Sequence, residues 1–373
     1  MRDAIVFSLW NWENYNVPER ISLALAHLGA RVLYCQNPTS ILRRPERVPT
    51  EISKGVYRFQ PVLLGQRLNA LPPLRSIQVS ALRRQIDGAV AELRLHDPLF
   101  FYFYMKQMFP LCTQLKGSRF LVYVCMDYHE LDAEACAQIS DATLVIPRSV
   151  FHPLRAKFGS KVHLIPQSVD FSLLERVAGT RAPEPSAFGS IPRPRLGYLG
   201  PSNGRLNNAV MLELLRSHPE WHFVSIGSEP ILPLPNAHVV PWAPPGELAR
   251  YALAFDVGLL PYNCYDERQL HCVPLKMFEH FAIGTPVVAT PLVHAWEYKD
   301  VIYFGDTASE LAVAVQAALD EPRDSPKRLA RLEIARHHSI ENLSAELRQH
   351  LPLGSAAPVD GDAGIACTSV THV

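Results

Sequence analysis

Apolar runs of strand length alternate with amphipathic stretches along most of this chain, and the alternation predicts an α/β protein. An apolar run at 5–9 comes first. A helix is expected over 18–28, with Pro18 suited to its first turn and Gly29 separating it from a strand at 31–34. A helix at 76–95 precedes a strand at 99–104, and a helix at 106–116 precedes a strand at 120–125. Residues 142–146 and 163–165 read as two more strands. Strands separated by helices in this order form a parallel sheet covered on both faces.

After residue 165 the pattern breaks. Proline, glycine and serine crowd the stretch RAPEPSAFGSIPRPR, as they do in linkers between domains. The alternation then restarts, with strands at 195–198, 222–226, 238–240 and 255–260 and helices at 208–217, 245–254 and 309–319. The reading is an N-terminal unit over 1–170, a linker over 171–195 and a C-terminal unit over 196–325. Two amphipathic helices within 326–351 are expected to pack back on the first unit. The tail 352–373 is small, polar and glycine-containing, and is expected to be disordered.

The segment 255–290, FDVGLLPYNCYDERQLHCVPLKMFEHFAIGTPVVAT, carries the most information. Pro261 ends a strand, and a polar loop follows. Pro274 opens a helix over 275–283, and Gly284 with Pro286 stops it before the next strand. A loop at the carboxyl end of a strand, leading into a helix N-terminus, is where open α/β sheets bind ligands. Lys276 and Glu279 lie one turn apart on this helix. The carboxylate of Glu279 is suited to accept both hydroxyls of a ribose, and Lys276 or the backbone N–H groups beside it to meet a phosphate. The plainer alternative is a surface Glu–Lys pair.

Other strand ends add candidates. Gly200 and Arg205, in LGPSNGR, combine close backbone approach with a cation for a diphosphate; an ordinary βα turn is an equal reading. Gly227 and Ser228 end one strand and Trp242 follows another, together able to flank a flat base, although turn chemistry and a packed indole explain each singly. In the first unit Asp127 and His129 follow the strand at 120–125 and are candidates for a catalytic base, with a helix cap at Asp127 as the competitor. The stretch from Trp10 to Asn14, with Trp12 and Asn14 as the acceptor-side candidates, follows the first strand and could stack on a sugar ring; an aromatic loop packed against the second unit is an equal reading. The one DxD sequence, Asp360-Gly361-Asp362, falls in the tail and is set aside as a metal site.

Composition narrows the partners. Among 373 residues, Lys and Arg number 36 and Asp and Glu 36, so a nucleic-acid partner is not expected. Arg43, Arg44 and Arg47 form a small basic patch that could touch anionic head groups, and a solvated loop is the simpler reading. Seven scattered cysteines without CxxC spacing suit a reducing compartment. No run is long and apolar enough for a transmembrane helix, and no signal peptide is read at the start.

Taken together, these segments resemble nucleotide-sugar glycosyltransferases of the two-domain GT-B fold. The specific part is DVGLLPY followed by VPLKMFEHFAIGTPVVAT, preceded by GYLG and FVSIG in the same order; LVYVCMDYHELD, SDATLVIPRS and KVHLIPQSVD agree more loosely with family-4-like bacterial enzymes of teichuronic acid and surface-polysaccharide synthesis. The resemblance implies two Rossmann-like domains facing each other across a cleft, with the C-terminal helices returning to the first. It implies a donor site of Gly200, Arg205, Gly227, Ser228, Trp242, His271, Leu275, Lys276 and Glu279, in which Glu279 takes the ribose and Arg205 the diphosphate. Asp127 and His129 would lie in the acceptor-side cleft. No cofactor or metal is expected, because helix termini and cations would stabilise the departing diphosphate. The implied reaction moves a sugar, with retention, from a UDP- or GDP-sugar to a hydroxyl of a glycan or lipid-linked acceptor. The implied location is the cytoplasm, with a peripheral contact to the inner membrane face as a further expectation. Two departures stand out: His271 occupies the place of a second carboxylate eight residues before Glu279, and Val210 that of a lysine. The alternatives are a non-hydrolysing nucleotide-sugar 2-epimerase and a catalytically degenerate nucleotide-sugar-binding partner.

Overall fold

The computed structural model describes residues 1–354 except 9, 13–15, 44–47, 66–71, 104–108, 128–131, 181–182, 201–203, 228–231 and 244. The first unit contains strands β1 (Ala4–Phe7), β2 (Val32–Cys35), β3 (Thr39–Ser40), β4 (Thr50–Ser53), β5 (Val56–Phe59), β6 (Val62–Leu63), β7 (Leu99–Phe103), β8 (Leu121–Cys125), β9 (Ala142–Val145) and β10 (Val162–Leu164). Its helices are α1 (Val17–His27), α2 (Pro72–Glu92), α3 (Phe109–Leu115), α4 (Ala133–Ile139) and α5 (Arg148–Phe158). Eight strands form one sheet in the order β10-β9-β8-β7-β1-β2-β5-β4, parallel except for β4 on β5.

Successive side chains of a strand point to opposite faces, and both faces here are dry. Ala4 and Val6 join one apolar cluster with Val17, Ile21 and Leu25 of α1; Ile5 and Phe7 join another with Val79, Leu82 and Ile86 of α2. That explains why the strands read as unbroken apolar runs.

The second unit begins with α6 (Phe171–Gly179). It continues with β11 (Arg195–Leu199), α7 (Asn208–Ser217), β12 (His222–Ile226), β13 (Ala237–Val240), α8 (Pro245–Ala252), β14 (Val257–Leu260), α9 (Glu267–Leu270), α10 (Leu275–Ala282), β15 (Val287–Ala289), β16 (Ile302–Phe304) and α11 (Ala308–Leu319). Six parallel strands run in the order β13-β12-β11-β14-β15-β16. The last helices are α12 (Pro326–His337) and α13 (Ile340–His350). α12 packs on α10, and α13 makes the return to the first unit, lying on α1 with Ser344 Oγ donating to the Ala24 carbonyl at 3.0 Å.

Of the two helices expected on the first unit only α13 reaches it, and α12 stays on α10. Two further regions depart from the expected pattern. The linker over 171–195 starts with a helix, α6, capped by Asp170 and packed on α8 and α10 through the buried Phe171 and Leu174. Its proline-rich part begins only beyond that helix. Residues 39–63 hold four strands of two to four residues, too short for a period-2 signal to emerge.

Candidate functional site

Carboxyl ends of parallel strands from both sheets face one cavity of about 410 Å³ between the units. The first unit supplies Trp10 after β1, Asn16 and Val17 at the start of α1, and Asp127 after β8. The second supplies Arg205 after β11, Gly227 after β12, Trp242 after β13, Tyr262 after β14, and Leu275 and Lys276 at the start of α10. This is the crevice where open α/β sheets hold ligands. A larger hollow of about 1020 Å³ lies at the opposite edge of the second sheet, around Pro194, Asp256 and Pro286, which precede β11, β14 and β15.

The loop bearing Arg205 is pinned to the end of β14. Asn263 N–H donates to the Arg205 carbonyl and Asn207 N–H to the Pro261 carbonyl, each at 2.8 Å, and Asn207 then caps α7. Arg205 Nη2 lies 3.9 Å from Asp127 Oδ2 of the opposite wall. Burial works against the Arg205 charge, but Asp127 foremost, with Tyr262 and Cys272, holds its pKa above the ordinary value. Lys276 Nζ sits 4.9 Å from the centre of the Tyr198 ring, a cation–π contact that orients it.

At two of the strand ends the glycines are approached by the Trp242 indole. At Gly227, with φ +78°, a Cβ would come within 2.7 Å of the Trp242 indole; at Gly200, with φ +87°, it would lie 3.6 Å from that indole and 3.5 Å from Lys276 Nζ. The indole therefore rests on two bare backbone segments and stays 39% exposed, a flat platform at the mouth of the cavity.

Three expected residues lie elsewhere. Glu279 does not line the cavity. It is buried one turn below Leu275, where Oε1 accepts from Arg20 Nη2 of α1 at 3.0 Å, with side-chain exposures of 7% and 1%. Burial raises the Glu279 pKa, and Arg20 and Lys276 oppose the rise. The plainer alternative, a surface Glu–Lys pair, does not hold either: Glu279 forms a buried ion pair between the units. His271 is half-buried at the end of α9 and is not on the cavity wall. Trp12 turns into its own unit: its ring meets Tyr34 edge-on at 5.0 Å and its backbone N–H donates to Gln36 Oε1, so Trp10 takes the place on the wall. His129, Asn14 and Ser228 lie outside the described residues.

The sequence reading did not reach Asn16, Gln167 or Tyr262. The only cue for Asn16 was its place before Val17-Pro18, a helix start. Gln167 links the halves, donating from Nε2 to the Val273 carbonyl at 3.2 Å and accepting from His338 Nδ1 at 2.6 Å. It also borders a second interunit crevice of about 490 Å³, where Arg148 bonds Glu297 at 3.1 Å and Ser149 bonds His294 at 3.2 Å.

Two parallel α/β units facing across such a cavity, with the final helix crossing back, define the GT-B fold. Comparison with known proteins agrees. Residues 205–349 match the glycosyl transferase-like family. The protein named as teichuronic acid biosynthesis glycosyltransferase TuaH in Bacillus subtilis (strain 168) is 28% identical over 193 residues, 47% of each chain. The matched stretch thus spans about half the length of that curated relative. Sucrose-phosphate synthase from Thermosynechococcus elongatus superposes with a TM-score of 0.67 at 15% identity, over 94% of this chain and 98% of that one. An α,α-trehalose-phosphate synthase (UDP-forming) from Burkholderia xenovorans, in complex with glucose-6-phosphate, gives 0.63 at 12% identity, over 94% and 99%. The chain is a GT-B protein that resembles the glycosyltransferases of teichuronic acid synthesis.

Proposed function

We propose that this protein is a glycosyltransferase that moves a sugar from a UDP- or GDP-sugar to a hydroxyl of a glycan or glycolipid in bacterial surface-polysaccharide synthesis. The observation that carries the reading is the convergence of Arg205 and Lys276 with the N-terminus of α10 on one wall of an interunit cavity. A diphosphate is the anion such a wall fits: two cations and free backbone N–H groups share its charge, and the same groups stabilise it as it departs. No metal is needed for that neutralisation. Trp242, on its platform of Gly200 and Gly227, is suited to the nucleobase. Asp127 enters from the acceptor side, where a carboxylate can orient the attacking hydroxyl. Retention at the anomeric carbon and a peripheral contact with the inner membrane face belong to the same reading. Arg20 grips Glu279 in the ligand-free cleft, so ribose binding by Glu279 requires the carboxylate to serve both partners. Thermal-shift and calorimetric titration with UDP, GDP and their sugars test the reading: stabilisation by one nucleotide and its sugar is expected, and no binding across the panel would refute it.

A further inference from the structure

Asn16 lines the cavity, and the donor reading leaves its chemistry unexplained. It is the N-cap of α1, with φ −116° and ψ −176°, yet its side chain caps nothing. An N-cap asparagine ordinarily accepts from the N–H of the second or third helical residue. Here the second is Pro18, which has no N–H. Both amide atoms, Oδ1 and Nδ2, are shut off from solvent, and neither has a hydrogen-bond partner among the described residues. Buried polar groups are almost always paired, because a solvent-excluded, unpaired amide costs the folded state. The residue stands on the first-unit wall beside Trp10 and Val17, in the same cavity as Leu275 and Lys276 of the other unit.

The pattern of unmet bonds selects the ligand. The unpaired amide offers both kinds of bond, two N–H donors on Nδ2 and an acceptor at Oδ1, and a hydroxyl, which both accepts and donates, can meet both. A phosphate only accepts, would leave Oδ1 unmet, and has Arg205 and Lys276 on the other wall. We propose that Asn16 is a specificity-determining residue that reads a sugar hydroxyl of the substrate from the first-unit wall. The inference rests on the transferase reading above. The amide is shielded where it stands, so reading a hydroxyl requires it to turn about χ1 toward the cavity. The uncapped start of α1 leaves it free to turn, and pairing with the hydroxyl relieves the cost of its burial.

The hydroxyl can belong to the transferred sugar or to the acceptor, and two measurements separate them. In the first, wild type and Asn16→Leu are titrated calorimetrically with UDP, UDP-glucose, GDP and GDP-mannose. In the second, transfer to octyl glucoside from whichever donor binds is followed at varied acceptor concentration. Asn16→Leu is of similar size and lacks both unmet groups, so it should melt no lower than wild type and bind the bare nucleotide equally well. It should bind the nucleotide sugar about 10-fold more weakly if the hydroxyl is the donor's, the size of one lost hydrogen bond. It should instead show a raised acceptor KM with unchanged donor affinity if the hydroxyl is the acceptor's. Should Asn16→Leu fail to fold, Asn16→Ser decides by the same titrations, since serine caps helices well but is a bond shorter. A variant equal to wild type in both measurements overturns the role of Asn16 alone. Absence of nucleotide binding by the wild type overturns the transferase reading, and this one with it.

Discussion

The two walls of the cavity are built differently. The second-unit wall is a series of strand–loop–helix joints, each local in sequence: Arg205, Gly227, Trp242, Leu275 and Lys276 all follow a strand or open a helix, and all five line the cavity. The first-unit wall is assembled from residues far apart in the chain, and Trp12, the expected contact there, is packed on Tyr34 instead. A residue placed by its own turn can be read from the turn. A residue whose orientation is set by a distant partner cannot. Glu279 and Arg20 are the plainest instance: 259 positions apart, they meet as a buried pair that joins the walls one turn below Leu275.

That pair offers the largest way to break the comparison. If it is the strut between the units, Glu279→Ala leaves the Arg20 guanidinium buried without its carboxylate and should cost about 3–5 kcal/mol of stability. Removing both charges as Arg20→Leu with Glu279→Leu should recover most of the loss, because an apolar pair of similar volume avoids desolvation of either ion. Urea denaturation of the three proteins measures both numbers. A single variant within 1 kcal/mol of wild type would mean the pair holds nothing, and the walls would then be independent.

The next effect concerns ligand rather than fold. Arg205→Ala and Lys276→Ala each remove one charge from the local wall and should weaken UDP or GDP binding by roughly 10- to 100-fold, the range for a lost charge-assisted hydrogen bond. Melting of the ligand-free proteins should change little. Arg205 faces Asp127 at 3.9 Å and is partly exposed, and Lys276 meets a ring rather than a carboxylate. Calorimetry on both variants shows whether the diphosphate lies on this wall; undiminished affinity in both would move it elsewhere.

The sequence disclosed most of what is local. The helix Asn208–Ser217 and the strand His222–Ile226 have the expected limits, because apolar periodicity and turn residues mark both ends. Two α/β units were legible from the repeated alternation, and the GT-B arrangement from the family resemblance that the 255–290 segment carries. What stayed hidden depends on pairing across the chain. The strands among residues 39–63 are stabilised by β2 and by one another, not by any long periodic signal. α6 looked like linker because its apolar face is only nine residues long and its partners, α8 and α10, come much later. Asn16 was silent because a missing hydrogen bond has no sequence signature.

Helix α10 carries the comparison down to adjacent residues. Glu279 turns toward α1 of the other unit and finds Arg20; His280 turns into its own unit, where neither ring nitrogen has a hydrogen-bond partner among the described residues and the Gly258 backbone and the Phe255 ring pack against it. Burial, aided by the charge of Lys276, pushes the His280 pKa down to about 3. The sign follows directly. In the unfolded chain the imidazole takes up a proton below about pH 6.5 while in the fold it stays neutral. Stability is therefore retained above that pH and lost as the pH falls through the window between the two values. One proton of difference is worth about 1.4 kcal/mol per pH unit, so about 1–2 kcal/mol should disappear between pH 6.5 and pH 5. His280→Leu removes this contribution, and its stability should fall more gently over the same interval, whatever the other titrating groups contribute to both proteins. Parallel pH profiles from urea denaturation would show that His280 meets a proton acceptor in the folded state, and that the second unit's interior is less dry than its own wall requires.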